Sequence, residues 1–344
     1  MSNLTDRESK CIYYMKALAI ISVVCAHISL IPDDFSKESQ LICSILNEMG
    51  AIGVGIFFAI SGFLFNNNKI RKMKLQQLIL SKAKTIGIPW FFSATLVYLY
   101  VAIRKGGTLG SYILSIIGYK SSYWYLTVLM ALYILFWCVM KSKHENVFTC
   151  FFAGLTIVSV ILRGLKIIPQ NALGVYLNVF NWTIFFAIGF IAKQKKNMLR
   201  ETARKCTWLL SSWTIGIMVV GLCFILIILE VTEIGHFSYF YIGYVPIELC
   251  AIFVLTILCW KQTEKRNLGI LLYLGKNSFT IFLYNELLWA GLIVKIGEYF
   301  DLWFLLLLRP VIVIVFVCAE MELGKKIFAK LNKDDMFCKL VGMR

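Results

Sequence analysis

Apolar residues gather into ten long runs separated by short polar stretches, at about 11–31, 48–66, 85–103, 123–140, 147–162, 173–192, 207–229, 237–260, 268–294 and 302–323. A helix needs roughly 20 apolar residues to cross a bilayer, and most of these runs reach or approach that length. Lipid cannot satisfy open backbone groups, so the runs predict helices and not strands. The run 268–294 is interrupted by Gly275-Lys276-Asn277-Ser278. It predicts an interfacial segment at 268–275 and a crossing at 278–294. The expected fold is all-α: a single polytopic membrane domain over 1–344, with about ten crossings and no fused soluble domain.

Composition agrees. The chain is 59% hydrophobic and 16% charged over 344 residues, and its mean hydropathy is +0.76. Soluble domains are nearer 45–50% apolar and about 25% charged. The eleven cysteines are scattered and form no CxxC pair, which fits small apolar packing residues better than a disulfide or metal framework. Three histidines without paired spacing predict no metal site, and the absence of a P-loop argues against an ATP-driven pump.

The net charge of +16 raises nucleic acid as a partner, but the placement of the charges gives another reading. With the N-terminus in the cytoplasm, 26 of the 35 Lys and Arg fall in cytoplasmic segments, seven in outer loops, and Lys16 and Arg309 within spans. That is the positive-inside bias expected of ten crossings with both termini cytoplasmic. The positive charge is topological; the bilayer is the expected partner and nucleic acid is not. The first run continues past an export h-region and lacks a small-residue cleavage site, so no cleaved signal peptide is expected.

Ionisable residues inside spans are costly and mark candidate chemistry. His27 lies near the outer end of the first span. Histidine is the side chain best matched to proton transfer near neutral pH. Lys16 lies eleven residues earlier on the same helix. At about 100° and 1.5 Å per residue, the two share a face and stand roughly 16 Å apart. On position alone, His27 also fits an interfacial histidine, and Lys16 a lysine snorkelling to the headgroups. Ser61-Gly62 in the second span suits close helix packing as well as chemistry. Glu248, Glu286 and Glu320 are further carboxylates within spans.

Several blocks carry a resemblance. Tyr14-Met15-Lys16-Ala17-Leu18-Ala19-Ile20-Ile21, with His27 beyond it, resembles the first-helix signature of the acyltransferase 3 family of integral membrane acyltransferases. Phe57-Phe58-Ala59-Ile60-Ser61-Gly62-Phe63-Leu64 resembles that family's second-helix block. Lys82-Ala83-Lys84 before Ile88-Pro89-Trp90, Trp124-Tyr125-Leu126, and Leu274-Gly275-Lys276-Asn277-Ser278 with Ile281, Leu283 and Tyr284 resemble three later blocks. Two positions depart from the pattern. Tyr13 stands where an acidic residue is common, and Asn285, with Glu286 beside it, stands where the family has a late histidine.

The resemblance implies transfer of an acyl group, usually acetyl, from acetyl-CoA to a hydroxyl of a cell-envelope glycan or lipid-linked sugar in a bacterial plasma membrane. Acyl-CoA is then a co-substrate, with no permanently bound cofactor, and envelope-biosynthesis proteins are possible partners. On that basis Lys16, Lys82 and Lys84 are expected to hold the CoA phosphates as point charges. The pantetheine arm is expected to thread between the first two spans past Ser61, and His27 to act as general base or acyl carrier. Ser61, Tyr125 and Asn285 are candidate oxyanion donors. Trp124, Tyr125, Asn285 and Glu286 are candidate acceptor contacts, although Trp124 and Tyr125 also suit an interfacial aromatic belt. The alternatives are an exporter of a glycan or lipid-linked intermediate without chemistry, for which no inverted repeat is visible, and an assembly subunit. In both, His27 would be dispensable.

Overall fold

The computed structural model describes residues 4–119, 121–169, 171–197, 244–265, 268–285 and 289–343, with isolated residues 201, 217 and 221. Among the described residues every regular element is helical. Among the described residues seven helices are long and apolar enough to cross a bilayer. The run 207–229 and the start of 237–260 lie largely outside the described residues.

Helix α1 (Asp6–Ile28) starts on a capping box, with Glu8 N–H donating to Thr5 Oγ1 and Thr5 N–H to Glu8 Oε2. Ser29 ends it, three residues before Pro32. Helix α2 (Lys37–Phe65) returns antiparallel and is longer than its apolar run. Its N-cap Ser36 and its residue Ser39 both give their hydroxyls to the Asp301 carboxylate, at 2.9 and 2.6 Å, and Ser36 N–H donates to it at 2.7 Å. These bonds, led by the one from Ser39, hold the Asp301 carboxyl below its ordinary range. A depressed carboxyl contributes stability above its unfolded-state pKa and loses it as pH falls through the folded one. Asp301→Asn is therefore expected to flatten the acid limb of thermal stability, so that the drop in Tm from pH 7 to pH 3 shrinks. An unchanged drop would remove Asp301 from the account.

After the short α3 (Asn68–Lys72), α4 (Leu75–Lys82) runs through a π-helical turn at Ala83–Gly87 into α5 (Ile88–Lys105). The third apolar helix thus begins near Leu75 and not at 85. Arg71 grips Glu145 with both terminal nitrogens, at 2.6 and 2.5 Å, which ties α3 to the chain 74 residues further on. Helix α6 (Leu109–Ile117) is short; α7 (Trp124–Lys141) and α8 (Glu145–Gly164) follow the predicted runs.

The run at 173–192 is broken, and polar side chains explain how. It forms α9 (Ala172–Val175), a 3₁₀ turn at Val179–Trp182 and α10 (Thr183–Gln194). Asn181 Nδ2 donates to the Gly174 and Val175 carbonyls, and Ser159 donates to Asn181 Oδ1. Irregular backbone survives among apolar helices only when satisfied in this way.

Helix α11 (Tyr244–Lys265) packs beside α1, with Arg7 paired to Glu264 at 2.6 Å. Helix α12 (Gly269–Tyr284) corrects the expected break at 275–278, because the helix continues straight through it. A Cβ on Gly275 would lie 2.0 Å from the Tyr13 carbonyl oxygen, so this glycine permits close approach to α1 and does not stop the helix. The chain leaves the helix at Asn285. Helices α13 (Gly291–Gly297), α14 (Trp303–Lys330) and α15 (Asp334–Val341) complete the chain.

Helices α1, α2, α10, α11 and α12 form the core. Gly62 of α2 lies against the Phe186 carbonyl of α10, and Gly189 of α10 against the Ala59 carbonyl of α2. Gly62 therefore serves packing, whereas its neighbour Ser61 faces α7.

Candidate active site

His27 and Asn285 meet across 258 residues of sequence. His27 Nδ1 lies 2.5 Å from Asn285 Oδ1. Asn285 cannot offer a donor there, because its amide nitrogen already donates to the Ile281 and Phe282 carbonyls at 3.1 and 2.8 Å. Its oxygen is therefore the acceptor, and Nδ1 of His27 carries the proton. In the neutral imidazole the lone pair then sits on Nε2. The side chain is half-buried in the last turn of α1, and Asn285 is wholly buried.

Asn285 thus departs from its expected part. With both N–H groups committed to backbone carbonyls, it orients His27; it is neither an oxyanion donor nor an acceptor contact. Asn285→Leu is expected to lower turnover about 10–100-fold, the effect of leaving a buried hydrogen-bonding group without its partner, and to leave the substrate KM within about twofold. An unchanged kcat would make the contact incidental.

Arg309, placed only as a lone cation in the last apolar run by sequence reasoning, supports the same end of α1. It is 4% exposed and donates to the Ile28 and Leu30 carbonyls, at 3.4 and 3.0 Å. The Ile28 carbonyl is one that the helix end leaves open, Leu30 lies just past the cap, and a cation suits the negative end of the helix dipole. A Cβ on Gly297 would lie 2.0 Å from the guanidinium, so Gly297 makes room for it. An arginine within an apolar run was the available signal; its partners were not legible.

The other expected residues divide into two groups. Ser61 lies beside the Tyr125 hydroxyl. Tyr125 packs on Phe58 and Phe282, with ring centroids at 4.7 and 5.5 Å. It is a core residue and not part of an interfacial belt. This pair is not at His27. Gly50 of α2 packs on Ala26, and Ser61 lies eleven residues further along, about 16 Å at 1.5 Å per residue. Ser61 and Tyr125 therefore cannot donate to an oxyanion formed at His27. Trp124 is half-buried and packs against Tyr176 and Trp182, at 5.1 and 4.9 Å.

Lys16 keeps the face of His27, because α1 is one unbroken helix. The Lys82 ammonium lies 3.7 Å from the Tyr133 ring centroid, a cation–π contact at the end of α2 remote from Gly50. Lys84 is exposed on the π-helical turn. Lys193 lies 4.9 Å from the Phe63 ring at the same end of α2. Glu286 lies outside the described residues. Glu248 is wholly buried on α11 against Gly55. The expected route between α1 and α2 is closed: a Cβ on Gly53 would lie 2.5 Å from the Ala19 carbonyl oxygen, and one on Gly50 2.1 Å from the Ala26 Cβ. Backbones at that distance leave no gap for an acyl arm.

A family model described as an acyltransferase domain matches residues 10–320, nearly the whole chain, and the chain belongs to this acyltransferase 3 family. The protein is thus a membrane acyltransferase in the general sense of that family. Comparison with curated proteins and with solved structures gives no match.

Proposed function

We propose that the protein transfers an acyl group, acetyl in the first instance, from cytoplasmic acyl-CoA to a hydroxyl of a cell-envelope glycan or glycolipid, with His27 as general base. The observation that carries this reading is the Asn285 amide, which is fixed by two carbonyls and in turn fixes the His27 tautomer. Nε2 takes the acceptor's hydroxyl proton as the oxygen attacks the thioester carbonyl. The tetrahedral oxyanion then collapses, the carbon–sulfur bond breaks, and the imidazolium returns the proton to the leaving thiolate.

In this reading the chain crosses the bacterial plasma membrane ten times with both termini inside. Lys16, Lys82 and Lys84 hold the CoA phosphates at the cytoplasmic end, and the half-buried Trp124 contacts the acceptor sugar. The test is turnover of [14C]acetyl-CoA by purified protein in liposomes supplied with envelope-lipid extract. Wild type consumes the thioester and labels the lipid, and Lys16→Ala raises the KM for acetyl-CoA about tenfold with kcat nearly unchanged, the signature of lost uniform binding. No turnover under any acceptor condition would discard the reading and leave export without chemistry.

A further inference from the structure

Two tyrosines stand side by side near the foot of α1, in different surroundings. Tyr14 is 1% exposed, and its hydroxyl accepts the Leu268 N–H at 3.0 Å. Tyr13 is half-buried, and its ring carries the Lys276 ammonium 5.9 Å from the centroid. The backbone fixes this contact. A Cβ on Gly275 would lie 2.0 Å from the Tyr13 carbonyl oxygen, so α12 touches α1 at this residue and delivers its next side chain, Lys276, to it. Lys16 follows Tyr13 by three residues on one unbroken helix, so the two are neighbours on one face. Helical side chains lean toward the N-terminus, which brings Lys16 down toward Tyr13. One aromatic ring thus has a cation over it from α12 and a second beside it from α1.

The carboxylates nearby are already engaged. At the foot of α1, Asp6 pairs with Lys10 at 2.7 Å and Glu8 with Lys196 at 2.8 Å. Glu264 pairs with Arg7 at 2.6 Å, and Glu322 accepts the Tyr273 hydroxyl at 2.8 Å. Lys276 is exposed and has no ion-pair partner among the described residues. The apolar run of α1 begins at about Cys11, so this spot lies at its aqueous edge, where a soluble ligand arrives without crossing the bundle. An aromatic plate flanked by two lysines fits a phosphorylated nucleoside: the ring stacks a base, and the ammonium groups hold phosphates as point charges. A bare anion has no use for the ring, and a neutral aromatic has none for the lysines.

We infer that Tyr13, Lys16 and Lys276 hold the nucleotide end of the acyl donor; this rests on the acyl-CoA reading above. The adenine takes the face of the Tyr13 ring that Lys276 covers, and the ammonium turns to the phosphates beside Lys16. The same two helices meet again at His27 and Asn285, fourteen residues further along α1, roughly 21 Å away. They hold the base at one end and meet the acceptor's proton at the other. In the topology proposed above, the Tyr13 end is the cytoplasmic one, where the nucleotide is found.

The test measures binding of adenosine 3′,5′-bisphosphate and of acetyl-CoA by calorimetry, with the full chain in nanodiscs of zwitterionic lipid. Tyr13→Leu is expected to weaken both about tenfold, within the range of one base–aromatic stack, and Tyr13→Phe to bind both as wild type does. Lys276→Gln changes an exposed side chain and leaves the fold alone. It is expected to weaken both about fivefold and to lower their dependence on salt. Pantetheine 4′-phosphate, which lacks the base, is expected to bind Tyr13→Leu as it binds wild type. Wild-type affinity for acetyl-CoA in both Tyr13→Leu and Lys276→Gln would overturn the inference and leave the acyl-CoA reading standing. Loss confined to Lys276→Gln would leave a phosphate site without the stack, and loss confined to Tyr13→Leu a stack without the cation; either overturns it. Displacement of the bisphosphate by anionic lipid, with acetyl-CoA binding untouched, would give the site to a headgroup and overturn it too. If wild type binds no acetyl-CoA, the acyl-CoA reading itself fails, and the inference with it.

Discussion

His27→Ala is expected to lower acyl transfer by at least about 100-fold, the lower end of what a positioned general base contributes. In the mechanism proposed above the loss falls on kcat, since there the side chain takes the acceptor proton and does not bind the acyl donor. The protein should stay folded, because His27 is half-buried and α1 is held by its capping box, by Arg309 and by the close approach of Gly50, Gly53 and Gly275. A cycle with Asn285 sharpens the test. Asn285 acts through His27, so the double variant His27→Ala/Asn285→Leu should be no slower than His27→Ala alone. Turnover by His27→Ala within about threefold of wild type would reduce the histidine to a helix-end residue. Additive losses would give Asn285 a separate part in the reaction.

The largest effect on stability is expected at Gly189. A Cβ there would lie 1.8 Å from the Ala59 carbonyl oxygen and 2.9 Å from the Phe63 nitrogen, both backbone atoms that cannot rotate away. The opposing Gly62 makes the same approach to Phe186, so the two helices cross with their backbones in contact. Membrane helices lack a hydrophobic drive toward one another and depend on such small-residue packing. Gly189→Leu must force α2 and α10 apart, and it loses the Asn66 Nδ2 bond to the Phe190 carbonyl as well. The expected cost is on the order of 3 kcal/mol or more, at the upper end for overpacking. Thermal unfolding in detergent should show a clearly lowered Tm and a smaller monodisperse fraction. A Tm close to wild type would mean that the helices can separate at little cost.

The residues differ in what they disclosed before folding. The pairing of Lys16 with His27 on one face was legible because helix geometry is local: eleven residues fix both the angle and the rise whatever surrounds them. The all-helical membrane fold was legible because hydropathy and backbone satisfaction leave lipid-embedded chains little choice. Gly275-Lys276-Asn277-Ser278 was misread as a break because a glycine has the same appearance in sequence whether it ends a helix or admits a neighbour. Only Tyr13, 262 residues away, decides between the two. Asn285 was read as a missing histidine, and its actual partner lies 258 residues earlier.

The sequence by itself therefore determined the class of fold, the family blocks, the cation–imidazole face of α1 and the placement of His27 near a helix end. Tertiary structure alone decided that Asn285 sets the His27 tautomer, that Arg309 secures the end of α1, that Ser61 and Tyr125 belong with each other and not with His27, and that the α1–α2 seam is closed. The physical reason is range. Periodicity and hydropathy act within a helix, whereas hydrogen bonds between helices and backbone approach at glycine depend on which helices become neighbours.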